Sequence, residues 1–210
     1  MIVHCKKLPY DVYIGRGNCP NTGLEGVWGN PFIIGQDGTR EEVVEKYASW
    51  IFSQPQILKN LYSLKGKVLG CWCGEKLCHG EVLEDLLISP KLAIIGSRSF
   101  SDEKRLFKVI EAIKTGFISA KFQKKAIIIS GGANGADSLG AKFARENSLR
   151  LVEFPAHWKN LGKSAGFQRN EDIIINSDIV LAAWDGESKG TAHSLFLAKK
   201  HKKSTYVMYF

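Results

Sequence analysis

The chain has 210 residues, 44% of them hydrophobic and 24% charged, with a formal net charge of +8. These values are ordinary for a globular protein and exclude whole-chain disorder, collagen-like repetition and coiled coil. No apolar run approaches the roughly 20 residues that span a bilayer, and the start MIVHCKKLPYDVY lacks the long apolar stretch of a secretory signal. The expectation is a soluble cytoplasmic protein with no membrane partner.

Charge and cysteine are both unevenly distributed. Residues 1–90 hold 9 Lys+Arg against 10 Asp+Glu, whereas residues 91–210 hold 20 against 11. All five cysteines (Cys5, Cys19, Cys71, Cys73 and Cys78) fall in the first half. An odd count without a signal peptide argues against a disulfide framework. Together the two asymmetries predict two domains, 1–89 and 90–210, joined at Ser89-Pro90. A basic second half suits a polyanionic or phosphorylated partner, although Lys199, Lys200, Lys202 and Lys203 taken singly read as solvated surface.

In chain order, residues 11–15 are predicted as a short strand, and residues 16–32, rich in Gly, Asn and Pro, as a long loop. Thr39 with Glu42 has the spacing of a capping box that opens a helix through about Phe52. Residues 67–71 (KVLGC) read as a buried strand and 81–88 (EVLEDLLI) as a short helix, which makes a small α+β domain. From residue 91 the pattern becomes regular. Strands are predicted at 92–96, 126–130, 149–154, 178–184 and 204–210, with helices at 102–114, 136–147, 165–176 and 191–200. Near-continuous apolar strands separated by helices predict a five-stranded, doubly wound, Rossmann-like parallel sheet of the α/β class.

Ligands of such sheets bind beyond the carboxyl ends of the strands, and four polar features fall there. Gly96-Ser97-Arg98 follows the first strand. Gly131, Gly132, Asn134, Gly135 and Asp137 lie in SGGANGAD after the second. Arg169-Asn170 precedes the fourth, and Gly190-Thr191 opens the last helix. Arginine matches phosphate geometry, and free backbone N–H groups at a helix start favour an anion. Asp137 reads either as an orienter of the glycine loop or a ribose, or as an acidic residue favoured by the helix dipole.

This ordered set resembles the SLOG superfamily, its YspA-like branch in particular, across about residues 91–210. Ala156-His157-Trp158, Gly162-Lys163 and Ala165-Gly166 add to the likeness. The resemblance implies binding of nucleotides or nucleotide-derived ligands such as ADP-ribose species, with Trp158 read either as stacking on a base or as core. It also implies a homodimer and, if chemistry occurs, cleavage or transfer at an N-glycosidic bond. The phosphoribohydrolase branch carries PGGxGTxxE, and here Ser194 stands where that glutamate would be. A hydroxyl cannot replace a carboxylate in acid/base work, which leaves His193 as the candidate base and favours a non-enzymatic sensor or sponge in phage–bacteria conflict. The DprA-like branch shares GSR, SG-A-GxD and RN and implies single-stranded DNA. Phe100, Trp158 and Trp184 are its stacking candidates, with Trp184 also read as core at the end of a buried strand.

In the first half, CWCGEKLCH places three thiols and an imidazole within nine residues. Cys71, Cys73, Cys78 and His79 are a legitimate structural zinc set, with Cys19 a further candidate from the loop. The alternative reading is packed free thiols. His79 and Glu81 are also candidates for catalysis beside a thiol. A zinc deaminase is excluded, because no P-C-x-x-C follows His79-Gly80-Glu81. With YIGRG and WGNPF, these motifs resemble a small bacterial and phage domain family of unknown function over about residues 1–88. Arg16 and Asn30 there read as exposed polar groups for an anionic or nucleoside ligand.

Overall fold

The computed structural model describes the backbone throughout and every side chain except those of Asn160 and Lys163. The chain divides into two units, Met1–Ile88 and Ser89–Phe210.

In the first unit, β1 (Ile2–His4), β2 (Val12–Tyr13) and β3 (Leu69–Cys71) form a parallel sheet in the order β1-β3-β2. Around it lie α1 (Arg40–Ile51), α2 (Pro55–Leu58), a 3-10 turn at Leu61–Leu64 and α3 (His79–Ile88). The Thr39 hydroxyl accepts the Glu42 N–H at 3.3 Å, and the Glu42 carboxylate accepts the Thr39 N–H at 2.6 Å, so the capping box forms. Helix α1 then buries Val43, Tyr47 and Ile51 at four-residue spacing, one stripe of a helix. Strand β1 was not expected: three residues are too few for a periodic signal. The strand expected at 67–71 shrinks to its last three residues, all buried. Helix α3 begins two residues earlier than expected, at His79.

The loop at 16–32 is pinned by side chains. Tyr13 donates to the Arg16 carbonyl at 2.9 Å and Tyr47 to the Trp28 carbonyl at 2.9 Å. Asn30 donates to the Val43 carbonyl at 2.9 Å, and its own side-chain oxygen accepts the Phe32 N–H at 2.9 Å.

In the second unit, β4 (Lys91–Gly96), β5 (Ile127–Ser130), β6 (Arg150–Glu153), β7 (Ile179–Trp184) and β8 (Ser204–Tyr209) form one all-parallel sheet, ordered β6-β5-β4-β7-β8. The helices are α4 (Glu103–Phe117), α5 (Ala120–Gln123), α6 (Ala136–Glu146), α7 (Trp158–Leu161), α8 (Ala165–Ile175) and α9 (Lys189–Lys200). Asp102 caps α4 by accepting the Arg105 N–H at 3.0 Å. Leu92, Ile94, Ile128 and Leu181 of the sheet meet Leu106, Ile110 and Phe143 of the helices in one buried cluster. The fold is α/β, with the predicted five-stranded sheet. Strand order reverses beside β4, with β5 and β6 running out on one side and β7 and β8 on the other, which places a crevice at the β4–β7 carboxyl ends. None of the described helices is long and apolar enough to cross a membrane.

Candidate functional site

A cavity of about 340 Å3 lies at that reversal. Its walls come from four segments. Ile95 and Gly96 end β4 and Arg98 follows it, Ala133 and Asp137 belong to the loop and first turn after β5, and Arg169, Asn170 and Ile173 lie on α8. Ser188, Gly190, Thr191 and Ser194 form the start of α9. Of the residues singled out in the sequence, Gly96, Arg98, Asp137, Arg169, Asn170, Gly190 and Thr191 therefore share one cavity.

A chain of hydrogen bonds braces its floor. Asp137 accepts the Gly131 N–H at 3.1 Å, and Arg169 donates from Nη1 to the Gly131 carbonyl at 2.8 Å. Arg169 Nε also donates to Asn170 Oδ1 at 3.1 Å, and Asn170 Nδ2 donates to the Gly190 carbonyl at 3.2 Å. A Cβ on Gly131 would stand 2.5 Å from Arg169 Nη1 and 2.7 Å from Asp137 Oδ2, so only glycine lets the pair close on the loop. Gly135 has a φ of +81°, and a Cβ there would stand 2.4 Å from the Ser97 carbonyl oxygen. Burial pushes the Asp137 carboxyl up to about 6, opposed by the Arg169 guanidinium and by the N–H groups of Gly131, Ala133 and Gly96. Arg98 lines the same cavity but is exposed.

Other expected residues lie elsewhere. The buried Ser97 hydroxyl accepts the Asp185 N–H at 3.2 Å, which closes the loop after β7 and keeps it from the cavity. Gly131, Gly132, Asn134 and Gly135 shape the glycine loop without forming the cavity's walls. Trp158 is 53% exposed and lies against Gly166, not in the cavity. His193 packs edge-on against Phe167 with centroids 4.7 Å apart, and its Nδ1 is buried without a partner; it too is outside the cavity. Phe100 packs on Phe210, Trp184 donates to the Ser188 carbonyl at 3.3 Å, and neither is among the cavity's walls. Lys163 falls outside the described side chains. Sequence reasoning missed Ile95, Ala133, Ile173 and Ser188 as walls and treated Ser194 only as a departure. Ser194 lines the cavity, with its hydroxyl donating to the Gly190 carbonyl at 3.1 Å.

In the first unit, the sulfurs of Cys71, Cys73 and Cys78 all lie within 4.8 Å of one another. Cys71 ends β3, Cys73 lies in the following turn, and Cys78 directly precedes α3. His79 stands outside this tight group. Its Nδ1 is 3.8 Å from Cys78 Sγ, and its Nε2 is 2.8 Å from the Ile14 carbonyl oxygen. Burial pushes its pKa down. Cys19 is separate, in contact with Tyr10 at 3.1 Å and packed with Cys5 and Tyr13. The Glu81 carboxylate accepts the Cys78 N–H at 3.1 Å, a helix-capping bond that occupies it. The neighbouring thiols, with the Arg40 guanidinium, hold Cys73 well below the usual thiol range, while sharing with Cys73 raises Cys71.

A second cavity of about 220 Å3 adjoins the cluster. Arg16, Arg40, Trp72, Cys71, Cys73 and His79 are among its walls, and so is Asn30. The expectation of exposed Arg16 and Asn30 side chains is corrected for Asn30, which is 7% exposed and hydrogen-bonded at both ends of its amide. Arg16 donates to the carbonyls of Asn30 and Phe32. Arg40 went unread because its partners, Cys73 Sγ at 3.6 Å and the Leu77 carbonyl at 3.2 Å, lie more than thirty residues away in the chain.

Comparison with known proteins follows the same division. Residues 3–89 match the family described as a domain of unknown function (DUF4326), and residues 90–161 match the YspA, cpYpsA-related SLOG family. An uncharacterized protein of Acanthamoeba polyphaga mimivirus is 40% identical over 87 residues, 36% of this chain. The chain spans 65%, just under two thirds, of that relative's length. Among solved structures, DNA processing protein A from Helicobacter pylori, described for its single-stranded DNA binding mode, superposes with a TM-score of 0.45 at 21% identity. That match covers 59% of this chain and 67% of that one. The Streptococcus pneumoniae protein of the same name gives 0.47 at 20%, covering 59% and 51%. The first unit is thus similar to the DUF4326 family and the start of the second to the YspA, cpYpsA-related SLOG family.

Proposed function

We propose that the second unit binds a nucleotide-derived ligand of the ADP-ribose class and holds it without cleaving it. The observation that carries this reading is the convergence of Arg98, Arg169 and the first turn of α9 on one cavity at the strand-order reversal. Its volume falls within the roughly 300–1,000 Å3 of small-molecule sites, and a helix start with a guanidinium beside it suits a phosphate. Cleavage of an N-glycosidic bond needs a carboxylate free to act on the sugar. Asp137 is the carboxylate among the cavity walls, and it is occupied by the glycine loop. Ser194, where the hydrolase branch has its glutamate, offers a hydroxyl already donated to Gly190. The ligand is therefore retained intact, as a sensor or sponge requires.

Calorimetry of the full chain with ADP-ribose and with ADP tests this. Stoichiometric binding, with the ligand recovered unchanged, supports the reading. Arg98→Ala lowers affinity by about tenfold or more, the loss of one charge-assisted contact of about 1.5–3 kcal/mol, and leaves thermal stability unchanged. Arg169→Ala lowers both, because Arg169 also braces the Gly131 carbonyl. Absence of binding to either compound, together with oligonucleotide binding that weakens steeply with salt, would replace this reading with single-stranded DNA binding.

A further inference from the structure

We propose that Cys71, Cys73 and Cys78 form a three-thiolate zinc site whose fourth coordination position opens onto the arginine-flanked cavity of the first unit and takes an exogenous anion. The distances come first. With Zn–S bonds of about 2.3 Å and tetrahedral angles, neighbouring sulfurs stand about 3.8 Å apart. Cys71 Sγ and Cys73 Sγ are 3.7 Å apart, and all three sulfurs lie within 4.8 Å of one another. The three thiols reach that point from a strand end, a turn and a helix start, at the carboxyl end of the central strand β3.

The groups around the sulfurs suit thiolates. Arg40 Nη1 lies 3.6 Å from Cys73 Sγ, and the Gly80 N–H donates to Cys78 Sγ at 3.4 Å. Three thiolates on a divalent ion leave a net negative charge, which a guanidinium and an amide dipole offset, as outer-shell partners of metal ligands do. The remaining cysteines supply an internal control. Cys5 and Cys19 pack with Tyr10 and Tyr13, the ordinary fate of a buried thiol.

The fourth position is open because neither ring nitrogen of His79 lies within 4.8 Å of all three sulfurs, although Nδ1 comes to 3.8 Å from Cys78 Sγ. Cys71 and the half-buried Cys73 line the cavity, and Cys78 lies behind them, outside its walls. An ion on the three sulfurs is therefore reached from the cavity side. Three protein ligands and an accessible position are the arrangement of zinc sites that bind exogenous groups, as opposed to closed structural sites. Arg16 and Arg40 among the walls select a negatively charged group for that position.

The test uses the full chain purified under reductant without chelator. Elemental analysis is expected to return one zinc per chain. Cobalt loaded in its place is expected to show a thiolate charge-transfer band and tetrahedral d–d bands that shift on addition of azide or inorganic phosphate. Cys73→Ser should lower zinc affinity by about a hundredfold or more and Arg40→Gln by about tenfold to a hundredfold, with Cys19→Ser unchanged. Should Cys73→Ser fail to fold, zinc competition against a chromophoric chelator on the unsubstituted chain decides the affinity. Zinc well below one per chain with no cobalt charge-transfer band overturns the site, as does a Cys71–Cys73 disulfide in fresh reduced protein. Cobalt bands that ignore both anions, or that vanish in His79→Ala, overturn the open position.

Discussion

Both units bury an apolar core, but the loops beside their cavities are held by different forces. In the second, β4 and β7 are buried at nearly every residue, and the helices pack apolar stripes against the sheet. In the first, the strands are only two or three residues long, and a loop of polar and small residues is tied down by side-chain hydrogen bonds to its backbone. The difference decides what a polar motif residue is free to do. Where apolar burial carries the fold, a residue such as Arg98 at a strand end is left exposed beside the cavity. Where polar side chains hold the loop, Asn30 is occupied in that task, although both residues look alike in the sequence.

The largest expected effect tests the burial half of this contrast. Ile94 is fully buried in the second unit, and Ile94→Ala should cost about 2–5 kcal/mol. Denaturant midpoints measure the loss, and hydrogen exchange should locate it within 89–210. A cost under about 1 kcal/mol would show that this core is not what holds the sheet.

Next in size is a pH effect. Aspartate ionises near 3.8 in the unfolded chain, and Asp137 near 6 in the folded one. Between these values the folded protein holds one more proton than the unfolded chain. The unfolding free energy from this group is therefore highest below pH 4, falls as pH rises to about 6, and is level above. The total loss is on the order of 3 kcal/mol for about two pKa units. Asp137→Asn should remove that slope in stability measured against pH; an unchanged slope would place the ionisation elsewhere.

Asn30→Ala probes the polar half. It removes a second bond to the Val43 carbonyl of α1 and leaves the half-buried Phe32 N–H without its partner, which should cost about 1–2 kcal/mol and lower hydrogen-exchange protection around residues 28–43. If exchange there is unaltered, the loop is held by packing after all, and the contrast between the units narrows. The smallest effect is Thr39→Ala, which removes half of the capping box of α1 and should cost about 1 kcal/mol, visible as a small fall in thermal midpoint.

The amino-acid sequence by itself determined the sheet of the second unit, the capping box at Thr39 and the neighbourhood of the three thiols. Each of these is written in residues close together in the chain: continuous apolar runs give buried parallel strands, a Thr and a Glu three apart meet across one helical turn, and CxC followed by a short return brings Cys78 back to the strand end. The tertiary structure alone decided which residues of the glycine loop became cavity wall and which only shaped it. It also placed Trp158 and His193 outside the cavity, put Arg40 on Cys73, and turned Asn30 inward. These outcomes rest on contacts between segments far apart in sequence, such as Arg169 with Gly131 and Arg40 with Cys73. Local periodicity encodes whether a residue is buried; its partner is set by distances that exist only once the chain has folded.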